Sequence, residues 1–339
     1  MPDGDDRNLI PLPREEVIKA VERKGPCRIP LVRAKWWGEG LAEHYGEDLR
    51  QFDRYPEDCA WLMLDIMNVR RMGLSWEIRE NGPHDSACVI DEWAKLDEFI
   101  EKMPDPENDP QFDALIDAAE AARAEDRYVL FGWWCLFFER PWSLRGMENL
   151  MMDYYDCPDN VHRLHSALCE MYCRYLERAI RDLRPDGFWT SDDLGHQTQP
   201  MMSPATFREL IKPYYVRIGR LLREPGLHWW LHSCGNNTPL LDDLVDAGVT
   251  VFHPVQKHTM NEAAVARAYG GRLTFLAGID VQHALQEKDP DGVRREVRFL
   301  IDTFDSPEGG MCIAAGNGIV PPTPVSYTHL RAHEPSLHL

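Results

Sequence analysis

Basic residues are scarce in this chain of 339 residues. Lysine and arginine number 37 against 56 aspartate and glutamate residues, which leaves a formal net charge of −19 at pH 7. Binding to the phosphates of DNA or RNA needs a basic patch, and none is visible in the sequence, so a nucleic-acid partner is excluded. Arginines inside an acidic shell can still hold a small anionic molecule.

Long apolar segments are also missing. The richest run, residues 128–138, stops at Glu139 and Arg140, whereas a membrane-spanning helix needs about 18 apolar residues or more. The first ten residues, M-P-D-G-D-D-R-N-L-I, are acidic and lack the apolar centre of a secretion signal. We therefore expect a soluble, cytoplasmic protein with no membrane partner.

A disulfide framework is not indicated. The nine cysteines are odd in number and widely scattered, which is typical of reduced thiols in the cytosol. Hydrophobic residues make up 44% of the chain and include 11 tryptophans, which is ample for a large core.

Strand and helix patterns alternate along the chain. Strand-like segments at 187–193, 227–232, 249–253, 272–277 and 310–315 are separated by helical patterns at 203–225, 238–247, 261–270 and 281–304. This alternation indicates parallel βα units. Weaker patterns at 29–33, 74–79 and 129–134 bring the predicted strands to eight, the number in a (β/α)8 TIM barrel.

Polar side chains cluster where the later predicted strands end, which is where TIM barrels carry their functional residues. These residues are Asp192, Asp193, His232, Cys234, His253, Gln256, Asp280 and Asn317. His232 and Cys234 are two positions apart on one strand, so the imidazole and the thiol should share a face. That arrangement suits a soft metal ion or a paired acid and nucleophile, although each polar residue can also cap its own turn. Cys234 can equally fill space while His232 bonds a neighbouring carboxylate.

Six motifs in this order resemble the uroporphyrinogen decarboxylase superfamily, over about residues 28–324. They are D-D-L-G at 192–195, S-P-A-T-F-R-E-L-I-K-P at 203–213, H-S-C-G at 232–235, H-P-V-Q at 253–256, Y-G-G-R-L-T-F-L-A-G-I-D at 269–280 and G-G-M-C-I-A-A-G-N-G-I at 309–319. The resemblance implies one barrel domain, over residues 1–324, with a deep pocket at its C-terminal mouth. It also implies one of two chemistries, zinc-dependent methyl transfer or cofactor-free decarboxylation.

The methyltransferase-like branch is the closer match. There, a His-x-Cys pair and a later cysteine bind zinc, and a corrinoid protein exchanges the methyl group. The resemblance makes His232 and Cys234 metal ligands, but Asn317 stands where the later cysteine is expected, and Cys312 lies five residues earlier. Asp193 is then the predicted third ligand or general base. Asp192, His253, Gln256, Asp280 and Asn317 are predicted to contact a small methylated substrate.

Decarboxylation of a tetrapyrrole polycarboxylate is the alternative that the resemblance leaves open. Arg33 matches the first arginine of the family's carboxylate-binding segment, and Trp37 replaces the second. Asp65 matches the family's acidic position, where it would stabilise a protonated intermediate. Asn317 again replaces an expected residue, here a histidine, which motivates a third hypothesis of an inactive ligand-binding barrel.

The C-terminal residues depart from the family pattern. Residues 325–339 begin V-S-Y-T-H-L-R-A-H-E, which resembles the translation of a sequencing adapter. We expect this segment to be a non-native tail that replaces the last helix of the barrel.

Overall fold

The computed structural model describes residues 10–34, 36–67, 72–73, 88–286, 289–321 and 323, with residues 51 and 54 described by their backbone alone. The chain divides into two compact units. The first consists of Met1–Trp61, Ala121–Val129 and Thr250–Leu339, and the second of Leu62–Glu120 and Leu130–Val249. The single domain expected over residues 1–324 stays a prediction, and the suspected tail at 325–339 lies outside the described residues.

Twelve α-helices lie within these ranges. They are α1 (Arg14–Glu22), α2 (Leu41–Tyr45), α3 (Leu96–Glu101), α4 (Gln111–Ala124), α5 (Glu139–Arg145), α6 (Met147–Asp156), α7 (Pro158–Asp182), α8 (Pro204–Leu210), α9 (Lys212–Arg223), α10 (Leu241–Ala247), α11 (Glu262–Tyr269) and α12 (Pro290–Phe304). Short 3-10 segments occupy Gly46–Arg54, Trp93–Lys95, Pro106–Asn108 and Thr238–Leu240. In the part of the chain that is described, no helix combines the length and the apolar character needed to cross a bilayer.

Seven β-strands lie in the same ranges. They are β1 (Cys59–Met63), β2 (Tyr128–Trp133), β3 (Gly187–Ser191), β4 (His228–His232), β5 (Val251–His253), β6 (Thr274–Ile279) and β7 (Met311–Ala315). β2 to β7 begin and end within two residues of six predicted strands. Glycine and proline punctuate the chain at these places, which is why the boundaries are readable from sequence.

In the second unit, β2 from Leu130 onward, β3 and β4 pair in parallel and in chain order. Phe131 is opposite Phe188, which is opposite Trp229, and all three are fully buried. All residues of the three strands are buried, as expected where both faces of a parallel sheet are covered. Close packing explains why residue 132 is a glycine, since a Cβ atom there would overlap the carbonyl oxygen of Trp189.

In the first unit, β5, β6 and β7 also pair in parallel and in chain order. An isolated parallel bridge joins Leu31 to Ile313 of β7. The buried carboxylate of Asp58 holds the segment around Leu31 in place, because it accepts the Leu31 N–H at 2.6 Å and pairs with Arg28 at 2.7 Å.

The early strands differ from the sequence prediction. The predicted strand at 29–33 is reduced to the bridge at Leu31, and Pro30 has no N–H to donate to a ladder. β1 has no predicted counterpart, because C-A-W-L-M contains no β-branched residue and fits a helix equally well. The predicted strand at 74–79 lies outside the described residues.

The predicted helix at 203–225 is two helices, α8 and α9, which meet at Ile211. Pro213 explains the break, since it cannot donate the hydrogen bond that would continue the first helix. The parallel α/β class is confirmed, and strands followed by helices in chain order give a TIM-barrel-like pattern. The complete (β/α)8 barrel and its missing last helix stay predictions.

Candidate metal centre

Three side chains at the C-terminal ends of β3 and β4 converge in the second unit. His232 Nε2 lies 3.4 Å from Cys234 Sγ and 3.6 Å from Asp193 Oδ1. One potential ligand atom from each of the three residues lies within 4.8 Å of the other two. The structure therefore brings together the two predicted metal ligands and the residue predicted as the third.

The register of the two strands explains this convergence. Ser191 of β3 is paired with His232 of β4, and the Asp192 N–H donates to the His232 carbonyl at 2.9 Å. Two residues beyond these positions, the Cys234 N–H donates to Asp193 Oδ1 at 2.7 Å. The backbone N–H of Cys234 thus holds the Asp193 carboxylate beside the Cys234 thiol.

Two glycines allow the loops after these strands to touch. A Cβ atom on Gly195 would lie 2.5 Å from the Cys234 carbonyl oxygen, and Gly235 has a φ of +80° and abuts Gly195. The Asn237 side chain donates to the carbonyls of Ser233 and Cys234, each at 3.0 Å. The glycines of the D-D-L-G and H-S-C-G motifs are therefore needed for the close approach that positions Cys234.

The three donor groups fit zinc. Ligand atoms about 2.0–2.3 Å from a tetrahedral zinc ion lie about 3.3–3.8 Å from one another, which matches the distances from His232 to Cys234 and to Asp193. Burial lowers the pKa of His232, an effect that the charge of Asp193 opposes. The imidazole is consequently in the neutral form that binds metal. Three protein ligands leave a fourth position for substrate, as in catalytic zinc sites.

Asp192, the neighbour of Asp193, is fully buried. Its carboxylate accepts the backbone N–H groups of Phe137, Phe138 and Glu139 at 2.8–3.1 Å and the Tyr215 hydroxyl at 2.7 Å. Burial raises the pKa of Asp192 to about 6, while these hydrogen bonds oppose the rise. Its observed contacts anchor the start of α5, and its role in substrate binding stays a prediction.

Glu139 is a functional candidate that the sequence patterns did not identify. It begins α5, and its Oε2 accepts the Ser191 hydroxyl at 2.6 Å. Burial, followed by the charges of Asp193 and Asp192, raises the pKa of Glu139 to about 8. In the metal-free protein, this carboxylic acid is therefore largely protonated at neutral pH. The sequence did contain one signal for Glu139, because an acidic residue there directly follows an apolar strand and its loop.

Tryptophans flank the imidazole of His232. The ring centroids of Trp134 and Trp189 lie 6.2 Å and 6.1 Å from that of His232. Trp189 is fully buried, whereas Trp134 is 46% exposed. These rings give the site an apolar wall on which a small substrate can pack.

The structure places the remaining predicted substrate-binding residues in the first unit. His253 is buried with its Nε2 2.9 Å from the Ala315 carbonyl, and the Gln256 carbonyl accepts the Met260 N–H. Asp280 Oδ1 accepts the Gln282 N–H at 2.8 Å. Asn317 is exposed and bonds the next N–H in the chain, and Cys312 is fully buried in β7. Their predicted contacts with substrate stay predictions.

Arg33 and Asp65, the residues predicted for decarboxylation, have local partners. The buried Arg33 side chain donates to the Pro56 carbonyl at 2.8 Å and lies over the Phe52 ring. Asp65 is exposed, exchanges backbone hydrogen bonds with the Gln111 side chain, and lines a cavity of about 420 Å³. These contacts give Arg33 a structural role in its own unit, and both catalytic roles stay predictions.

Comparisons with known proteins converge on one family. The family model described as uroporphyrinogen decarboxylase (URO-D) matches residues 48–330. A protein named uroporphyrinogen decarboxylase from Xanthomonas euvesicatoria is 26% identical over 283 residues, covering 77% of this chain and 74% of the relative. Another of that name from Thermus thermophilus is 31% identical over 167 residues, covering 48% and 44%.

One solved structure shares the fold across nearly the whole chain. A methyltransferase from Methanosarcina mazei is similar with a TM-score of 0.67 and 15% sequence identity, covering 94% of this chain and 96% of that one. At this identity the likeness establishes the fold alone.

Proposed function

This chain belongs to the uroporphyrinogen decarboxylase family, and we propose that it is a zinc-dependent enzyme that transfers a methyl group between a small methylated substrate and a corrinoid protein or a thiol. The observation that carries the proposal is the convergence of Asp193, His232 and Cys234 within 4.8 Å. Decarboxylation without a cofactor has no need of an imidazole and a thiol 3.4 Å apart.

The zinc ion would be held by His232 Nε2, Cys234 Sγ and the carboxylate of Asp193. When bound, it would supply Lewis acidity to a heteroatom in its open position. The protein's own contribution begins with Asp193, which is oriented by the Cys234 N–H at 2.7 Å. Cys234 is itself held by the Asn237 amide. A ligand set supported in this way needs little rearrangement to bind metal.

Glu139 would serve as the proton donor of the site. Burial is the largest cause of its raised pKa and does not depend on the charge of Asp193, which a bound zinc ion would offset. The Ser191 hydroxyl fixes the carboxyl in place. A heteroatom that loses a methyl group becomes a stronger base and gains from a proton supplied nearby. Trp134 and Trp189 would limit water around the reacting groups.

Decarboxylation of a tetrapyrrole polycarboxylate is the second candidate, and the names of the curated relatives favour it. It would use Arg33 to bind a carboxylate, yet that guanidinium already donates to a backbone carbonyl. It would also use Asp65, which the structure places at the surface beside Gln111. We rank it below methyl transfer for these two reasons.

The test is an assay of methyl transfer with the purified, zinc-loaded protein. A panel of methylated alcohols, amines and thiols is offered with reduced cobalamin, and methylcobalamin is followed by absorbance. We expect turnover with at least one donor, its loss in Cys234→Ala, and its retention in Cys157→Ala. Cys157 is a suitable control because it is also partly exposed but lies at the start of α7.

The same preparations separate the alternatives. Carbon dioxide released from uroporphyrinogen by zinc-free protein, unaffected by Cys234→Ala, would contradict methyl transfer and favour decarboxylation. Tight tetrapyrrole binding with neither reaction would favour an inactive ligand-binding protein.

A further inference from the structure

A second group of potential metal ligands lies in the first unit, separate from the residues of the proposed zinc site. Asp280, directly after β6, is joined there by His283 and by His258 from the loop after β5. Asp280 Oδ2 lies 3.2 Å from His283 Nδ1 and 4.0 Å from His258 Nε2. One ligand atom of each residue lies within 4.8 Å of the others.

We propose that His258, Asp280 and His283 form a second metal site, which takes a divalent transition-metal ion such as zinc, cobalt or nickel. Two atoms that each bind one ion at about 2.1 Å can be at most about 4.2 Å apart. Both distances from Asp280 Oδ2 lie below that limit. A small movement of the exposed His258 side chain would bring its Nε2 into the range of about 3.3–3.8 Å expected between ligands of a tetrahedral ion. Two imidazoles and one carboxylate are a donor set suited to these ions.

Backbone hydrogen bonds fix the orientation of the Asp280 carboxylate. Its Oδ1 accepts the N–H groups of Gln282 at 2.8 Å and His283 at 3.3 Å. Its Oδ2 consequently faces the two imidazoles. Asp280 is 6% exposed in its side chain, whereas His258 and His283 are 62% and 60% exposed. The ion would therefore have an anchored oxygen ligand and open positions towards solvent.

The backbone of the loop also favours the cluster. His258 has a φ of +67°, a left-handed conformation that is uncommon for a residue other than glycine. This conformation accompanies a ring-to-ring distance of 5.1 Å between His258 and His283. Such local strain is often retained where it positions functional groups.

The charges around the cluster suit a cation. The nearest lysine in sequence, Lys257, has its Nζ 2.5 Å from Glu296 and 3.8 Å from Glu262. Its positive charge is therefore balanced on the side of α11 and α12. Glu262 interacts electrostatically with Asp280, but burial raises the pKa of Glu262 to about 7, so at neutral pH it adds only part of a negative charge near the site.

The test is a cobalt titration of metal-free protein, followed by visible absorption and by direct metal analysis. All variants carry Cys234→Ala, which removes thiolate coordination at the other site. We expect the Cys234→Ala protein to bind cobalt with ligand-field bands and no sulfur-to-metal charge transfer. Adding His258→Ala or His283→Ala should weaken that binding more than tenfold, since even a lost supporting partner costs about 10- to 100-fold.

The control is His44→Ala, which removes another exposed imidazole of the same unit and should leave cobalt binding unchanged. Thermal melts without metal should coincide for all variants, because the substituted histidines are exposed. Equal cobalt uptake with and without His258 and His283, or none in either, would overturn the proposal. Wild-type protein reports separately on the zinc site, through the charge-transfer band that Cys234 would supply there.

Discussion

Replacing Glu139 with glutamine is expected to stabilise the protein at high pH and to leave it nearly unchanged at low pH. The buried carboxyl has its pKa raised from the ordinary 4.5 to about 8. The folded state therefore binds this proton more tightly than the unfolded state. The stability contributed by Glu139 is complete below pH 4.5 and is lost as the pH rises towards 8. Glutamine stays neutral, so the variant loses no stability at this position over that pH range.

The size of the effect follows from the pKa values. At about 1.4 kcal/mol per pH unit, the interval from 4.5 to about 8 corresponds to a difference of at most about 5 kcal/mol. The Ser191 hydroxyl can donate to the glutamine carbonyl oxygen as it does to Glu139 Oε2. The two proteins should therefore be about equally stable near pH 5 and differ by several kcal/mol near pH 8.5.

The assay is urea unfolding of wild type and Glu139→Gln at intervals from pH 5 to pH 9. The free energy of unfolding of the variant should exceed that of wild type by an amount that grows with pH and levels off above 8. Glu148→Gln is the matched control, because Glu148 is an exposed acid on α6, and its effect should not vary with pH in this way. A difference for Glu139→Gln that stays constant across the range would refute the reasoning.

Three further substitutions test the support of the site. Gly195→Ala places a Cβ atom 2.5 Å from the Cys234 carbonyl oxygen and should cost about 1–3 kcal/mol of unfolding free energy. It should also weaken zinc binding in equilibrium dialysis, and an unchanged zinc affinity would be inconsistent with the proposed loop contact. Asn237→Ala removes the amide that donates to the Cys234 carbonyl and should cost about 2–3 kcal/mol in urea unfolding, and a loss below 0.5 kcal/mol would argue against that anchor. Tyr215→Phe removes the buried hydroxyl that donates to Asp192 at 2.7 Å and should lower the free energy of unfolding by about 1.5–3 kcal/mol at pH 8. Calorimetry or urea unfolding can measure this loss, and equal stability of the two proteins would contradict the role of that hydrogen bond.

Much of the strand order was predictable because apolar runs bounded by glycine and proline are strong local signals. β3 and β4 are examples, with G-F-W-T-S and H-W-W-L-H buried throughout. β1 was not predictable, since five apolar residues without β-branching carry no periodic signal. Leu31 depends on its distant partner Ile313, which no local pattern contains.

The candidate site was likewise only partly predictable from the sequence. His232 and Cys234 were predictable as neighbours because alternate strand residues share a face. Glu139 was not, because its raised pKa depends on burial and on Asp192 and Asp193, more than 50 residues away in sequence. His258 likewise meets His283 through two loops, and only tertiary structure brings such loops together.

The most direct test of the proposed zinc site is X-ray absorption at the zinc edge of the purified, zinc-loaded protein. One sulfur at about 2.3 Å, together with nitrogen and oxygen ligands at about 2.0–2.2 Å, is the expected first shell, at one zinc per chain for this site. Cys234→Ala should lose the sulfur and most of the zinc affinity of this site, whereas Cys157→Ala should retain both. A zinc spectrum without sulfur in the wild type, or one unchanged in Cys234→Ala, would contradict the assignment.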